Sequence, residues 1–429
     1  MKNKSKFLHV LCAVSLLGNI ALPSGSVAAK DPLPRSKPAD VGFSPAALLR
    51  IDRFFAVEIS ASRLPGAVIA IARDNKLVYF KAHGFQDKAA NVLMNTDAIF
   101  QLASMTKIMA TVGALTFHEE GRLALNAPVS DWYPQFKSQQ VAAITADGQL
   151  SLEPAKQPIT VHDLMRHTSG LTYGAQGTTE VHKLYPPSSE AAAINWGGEE
   201  FIEQLARLPL LYQPGTVWNY GLSTDVLGLI TEKTAGKPLE RVLQERLWSK
   251  LKMNDTTFHV PEAKRGRIAK PLTTDPLTGR PLRLTLLDHA AKFECAGACA
   301  FGTAHDYLRF GQMLLNGGVL DGQRILSPKT VRLMTSDHLG NHIENRVGVN
   351  ESGRDGYGFG LGVAVRKEQG IAPINGSVGD YSWNGANGTI FWVDPGERLV
   401  VVMMSAGPGD IRKYYREQMS ALVYGAMER

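Results

Sequence analysis

Ser104-Met-Thr-Lys107 places a hydroxyl and an amine three residues apart. On a helix that spacing puts both side chains on one face, a turn from each other. A serine becomes a nucleophile when a neighbour takes its proton, and a lysine buried on an apolar face would have its pKa depressed and could be that neighbour. The surrounding stretch, QLASMTKIMATV, is apolar enough to do the burying. The competing reading is a lysine that lays its stem on apolar surface and keeps its ammonium in water, and these residues alone favour it. The pattern also recurs as Ser249-Lys-Leu-Lys252 in QERLWSKLKMND. There the lysines suit the negative end of a helix, and the serine reads as structural.

Other chemistries find little support. The chain contains no Gly-x-Ser-x-Gly elbow and no His-Glu-x-x-His, which argues against an α/β-hydrolase and a zinc protease. His162 and His167 in VHDLMRHTSGL read as structural or hydrogen-bonding side chains. Cys295 and Cys299 in ECAGACAFG form either a small local disulfide or two buried thiols, and no histidine pair stands near them at ligand spacing. No metal or cofactor is expected.

The elements that must hold such a site fall into three blocks. Residues 44–60 have helical periodicity, with Ser44 as N-cap before Pro45. AVIAIARDNKLVYFKAHG reads as a hairpin turning at Asp74-Asn75. Near the other end YGFGLGVAVR, GTIFWVDP and ERLVVVMMSA read as three strands, and residues 410–426 as a closing helix. Helical patterns and Pro/Gly-rich loops dominate between them. One antiparallel sheet is therefore expected, drawn from about 44–100 and 346–429, with a mostly helical insertion over about 105–345.

The leader narrows the compartment. MKNKSK, the apolar FLHVLCAVSLLGNIAL and small residues ending in SVAAK have the order of a secretory signal, with cleavage expected after Ala29. Residues 30–429 would then form the mature domain, periplasmic or secreted, without a stable membrane anchor. The 429 residues carry 46 Lys and Arg against 40 Asp and Glu. Three of those lysines lie in the leader, so the mature net charge is +3 and no nucleic-acid-binding tract remains.

Taken in order, FQLASMTK, LMRHTSGLTYG, QPGTVWNYGLSTDVLG, LRFGQMLLNGGVLDGQRILSPKTVRLM and SWNGANGTIFWVDP give the chain its likeness to a known group. Over about residues 44–425 it resembles the serine β-lactamase-like superfamily, in the branch with class C β-lactamases, family VIII carboxylesterases and D-amino-acid-specific peptidases. The resemblance implies an α+β fold of the β-lactamase/penicillin-binding-protein type, an antiparallel sheet flanked by helices with an inserted helical domain. It implies Ser104 as nucleophile, Lys107 as its partner and Tyr220 as the tyrosine that shares general-base work. It also implies an oxyanion hole from the backbone N–H groups of Ser104 and Ala386.

Two departures bear on substrate. Leu222 stands where the family's Tyr-x-Asn motif has its asparagine, removing an amide that would bond an acylamide side chain. Trp383-Asn384-Gly385 stands where β-lactamases have Lys-Thr-Gly, similar to the Trp-x-Gly of family VIII esterases. A second Trp-Gly-Gly at Trp196–Gly198 precedes a helix-like stretch and is set aside. Losing the lysine removes a cation that attracts substrate carboxylates and leaves an aromatic wall for neutral acyl or alkyl groups. Gly385 would let the strand approach the substrate closely.

The expectation is an esterase for small esters acting through an acyl-serine. The alternatives are a class C-like β-lactamase or D-amino-acid-specific amidase, and a binding or sensor protein that acylates without turnover. The expected partner is a small ester or amide; the oligomeric state is not legible.

Overall fold

The computed structural model describes residues 31–144 and 150–428. The expected signal peptide lies outside the described residues. Among the described residues no helix is long and apolar enough to cross a membrane.

The main sheet takes its strands from both sides of a long helical middle. They are β1 (Gly66–Arg73), β2 (Lys76–Asp87), β3 (Val92–Leu93), β4 (Tyr357–Phe359), β5 (Ala364–Arg366), β6 (Tyr381–Asn384), β7 (Ile390–Asp394) and β8 (Leu399–Ser405). Their spatial order is β4-β5-β6-β7-β8-β1-β2-β3, antiparallel throughout. The β1–β2 turn falls at Asp74-Asn75, with both residues at positive φ (54° and 61°), the conformation a two-residue hairpin turn requires. β1 and β8 pair from Ala67 opposite Ser405 to Arg73 opposite Leu399, so the two ends of the chain are neighbours in the middle of the sheet.

Both sheet faces are covered, which is why β1 and β8 read as unbroken apolar runs rather than alternating ones. On one face Ala67, Ile69, Ile71, Val401 and Met403 pack with α1 (Pro45–Ser60) and the C-terminal helix α5 (Ile411–Tyr424). On the other, Val68, Ala70, Val400 and Val402 join a larger core with α2 (Thr106–Glu119), α3 (Ser223–Ala235) and α4 (Ala304–Leu315). Ser44 caps α1 by accepting from the Ala47 N–H at 3.3 Å. YGFGLGVAVR differs from expectation: it is not one strand but the β4–β5 hairpin, reversing over residues 360–363. Residues 358–365 are all apolar or glycine, so no polar turn marks the reversal.

α2 organises the site. Thr106 through Phe117 are all buried, and a helix apolar on every side belongs inside a core. It starts directly from the 3-10 turn Ala103–Met105, so Ser104 sits at its N-terminus, where free N–H groups and the helix dipole favour negative charge.

Candidate active site

Ser104 is presented by a strained backbone. Ala103, just before it, has φ 47°, a left-handed conformation that residues with a β-carbon seldom adopt. β6 and the turn after it lie against this segment. Thr389 Oγ1 donates to the Leu102 carbonyl at 3.0 Å, and a β-carbon on Gly385 would come within 2.4 Å of that oxygen. Only glycine lets the strand end approach so closely. Ala386, next along, is exposed, and among the described residues its N–H donates to no backbone carbonyl.

Lys107, 1 % exposed, points its ammonium at oxygens. Its Nζ lies 2.7 Å from the Gly297 carbonyl, 3.1 Å from the Tyr173 hydroxyl and 3.5 Å from Ser104 Oγ, and 4.6 Å from the centre of the Tyr220 ring. The expectation of a lysine depressed by burial is corrected here. Burial does pull it down, but the Tyr173, Tyr220 and Asp225 oxygens around it outweigh that and hold the lysine above its ordinary value. An ammonium so held suits an electrostatic role beside the nucleophile.

Tyr220 is 8 % exposed, and the Trp383 indole N–H donates to its hydroxyl oxygen at 3.0 Å. Indole is a donor only, so the Tyr220 oxygen must accept. The Lys107 ammonium lies over the face of the same ring, a cation–π contact. Trp383 is itself 2 % exposed, packed against Tyr220, Phe359 and Trp218. It is thus less a wall for substrate than a brace for Tyr220.

Asn384 and Leu222 sit elsewhere. Strand alternation sends Asn384 to the opposite face from Trp383, lining a small cavity with Ser382, Arg354 and Arg416. Leu222 is fully buried at the start of α3. His162 bonds His338 at 2.8 Å. His167, in contrast, has no partner for either ring nitrogen; it packs 4.8 Å from the Tyr220 ring, and burial followed by the Lys107 charge drives its pKa well down. Cys295 and Cys299 form a disulfide. The second Ser-x-x-Lys pair is distant: Ser249 accepts from Gln244 at 2.8 Å and Lys252 pairs with Asp321. Trp196–Gly198 leads into the helix Gly198–Arg207.

A model of the family described as Beta-lactamase matches residues 51–423. This chain belongs to that family. Protein Rv1367c of Mycobacterium tuberculosis is 33% identical over 349 residues, covering 80% of this chain and 86% of that one. Esterase EstB of Burkholderia gladioli is 30% identical over 381 residues, covering 83% and 89%. Among solved structures, EstCE1, described as a hydrolase with promiscuous acyltransferase activity, superposes with a TM-score of 0.70 at 26% identity, over 89% of this chain and 99% of that one.

Within this Beta-lactamase-family fold, the structure brings together Ser104, Lys107, Tyr220, Trp383 and the Gly385–Ala386 turn. Sequence reasoning passed over Tyr173, Asp225 and Gly297, although they lie in the quoted LTYG, LSTDVLG and ECAGACAFG, and passed over Ser189 altogether. A buried lysine must find acceptors, and that requirement was the available signal for Tyr173. One cluster with metal-ligand chemistry, Glu240, His259 and Glu294, has its ligand atoms within 4.8 Å of one another. Its carboxylates already accept from Thr257 and from the Glu240 N–H.

Proposed function

We propose that the protein is a periplasmic or secreted serine hydrolase that cleaves small carboxylic esters through an acyl-serine intermediate. The observation that carries this reading is the bond from Trp383 Nε1 to the Tyr220 oxygen, 3.0 Å long, at the position where a β-lactamase presents a lysine. It commits the strand residue to supporting the base instead of attracting a substrate carboxylate, and it is supported by the likeness to EstB.

In the reaction, Ser104 Oγ attacks the ester carbonyl while Tyr220 takes the hydroxyl proton. The Lys107 ammonium stabilises the phenolate before the transfer. Negative charge collects on the carbonyl oxygen, which the Ser104 and Ala386 N–H groups receive at the N-terminus of α2. Collapse expels the alcohol, which takes the proton from Tyr220; water then attacks the acyl carbonyl and loses a proton to Tyr220, and the second collapse breaks the bond to Ser104 Oγ, which takes that proton as the acid leaves.

The test sets short and long p-nitrophenyl esters, nitrocefin and D-amino-acid amides side by side, with native protein and Ser104→Ala. Fastest turnover of short esters, lost in the variant, is expected. A single burst without turnover would identify a sensor, and preference for nitrocefin or the amides would replace the esterase reading.

A further inference from the structure

Behind Lys107 runs a closed ring of hydrogen bonds that the acyl-transfer steps do not use. Lys107 Nζ donates to the Gly297 carbonyl at 2.7 Å, and the Gly297 N–H donates to Asp225 Oδ1 at 2.8 Å. Along the other arm Lys107 Nζ donates to Tyr173 at 3.1 Å, Tyr173 meets Ser189 Oγ at 2.7 Å, and Ser189 donates to Asp225 Oδ2 at 2.6 Å. Each hydroxyl has one proton to give. Since Ser189 spends its proton on Asp225, Tyr173 donates to Ser189 and accepts from Lys107. Every bond then points from the ammonium toward the carboxylate.

The ring is built to stay closed. Lys107, Asp225, Ser189 and Tyr173 are all buried. Asp225 lies in the first turn of α3, where the helix dipole favours its anion, and α3 begins just after Tyr220. Gly297 is the middle residue of the loop that the Cys295–Cys299 disulfide closes. A β-carbon there would fall 2.1 Å from Ser189 Oγ and 2.5 Å from Asp225 Oδ2, so the position admits only glycine. The same loop runs into Ala300, whose carbonyl accepts from the Leu102 N–H at 2.9 Å, two residues before Ser104. One short segment therefore touches the lysine, its counter-charge and the approach to the nucleophile.

We propose that Asp225 is a positioning residue: acting through Gly297 on one side and Ser189 and Tyr173 on the other, its carboxylate fixes both the place and the charge of the Lys107 ammonium. The consequence for catalysis rests on the acyl-transfer reading. The other ionisable groups near Lys107 are Tyr220, His167 and Glu190. Burial keeps His167 neutral and pushes both the Glu190 and the Asp225 carboxyls upward; what singles out Asp225 is that hydrogen bonds through Ser189 and Gly297 tie it to the lysine. Without it the ammonium is a buried charge with too little compensation and gives up its proton at lower pH.

The experiment compares native protein, Asp225→Asn and Ser189→Ala by two readouts. Rates with a short p-nitrophenyl ester from about pH 6 to about pH 10 should show no basic limb for native protein. Asp225→Asn should lose about tenfold or more in kcat, with KM changed much less, and acquire a basic limb. Ser189→Ala, which leaves the Gly297 arm intact, should shift the same way by less. Independently of any substrate, NMR of lysine labelled with carbon-13 at Cε, with the Lys107 signal assigned by Lys107→Met, should show native Lys107 charged throughout. In Asp225→Asn it should titrate about one pH unit or more lower. If Asp225→Asn does not fold, Ser189→Ala decides: a downward shift supports the proposal, and a native titration overturns it. Native Lys107 titration in both variants overturns it whatever the enzyme hydrolyses, whereas ester turnover that survives Ser104→Ala removes only the acyl-transfer reading.

Discussion

Ser104 and Lys107 share a sequence pattern with Ser249 and Lys252, yet the two pairs have opposite surroundings. Lys107 is sealed in the core with three oxygens around its ammonium; Lys252 is mostly exposed and reaches a surface aspartate at 3.4 Å. Ser104 follows a left-handed alanine at the start of a buried helix, whereas Ser249 follows a π-helical turn and accepts a bond from its own neighbour Gln244. Spacing makes a hydroxyl and an amine neighbours, but only burial among acceptors gives the amine work to do. At Ser249 the charge is spread into water, where an ion pair contributes about 1 kcal/mol or less.

The sharpest way to break this contrast is to remove each serine in turn. Ser104→Ala should lower kcat/KM for esters by about a thousandfold or more, measured in steady state against native protein. Next comes Tyr220→Phe, which keeps the ring under Lys107 and deletes the proton acceptor; about a hundredfold loss in kcat is expected. Trp383→Phe tests the brace alone. It removes a buried donor to the oxygen that bears the base's charge in the proposed reaction, a bond of a kind worth about 1.5–3 kcal/mol, so kcat should fall roughly tenfold to a hundredfold; an unchanged rate would mean that Tyr220 needs no such support. Ser249→Ala should change neither turnover nor melting temperature beyond about 0.5 kcal/mol in equivalent free energy.

Where the sequence was legible, a short-range physical rule governed. The Asp74-Asn75 turn, the Ser44 cap and the apolar runs of β1 and β8 follow from local backbone preference and burial, and the fold has all of them. The β4–β5 hairpin escaped because residues apolar on both flanks of a turn leave no change of pattern. The site was harder, for another reason. Its serine, lysine and tyrosine were found through the likeness to a family, but what surrounds them is a matter of contacts between distant segments. That Trp383 faces Tyr220 and not solvent, or that Lys107 finds Gly297 and Tyr173, depends on how the loops around Tyr173 and Gly297 close over α2. QLASMTKIMATV alone favours a lysine that reaches water; its burial, and the direction of its shift, depend on the acceptors that distant segments bring.

The pairing of β1 with β8 bears on the order in which the molecule can be made. A ribosome delivers β1 before the helical middle and β8 after it, so β1 lacks one neighbour while that whole middle is made. The turn carrying Gly385 and Ala386, which presses against the approach to Ser104, is delivered just before β8. The segment carrying Ser104 is thus left without its partner turn until the helical middle has been made.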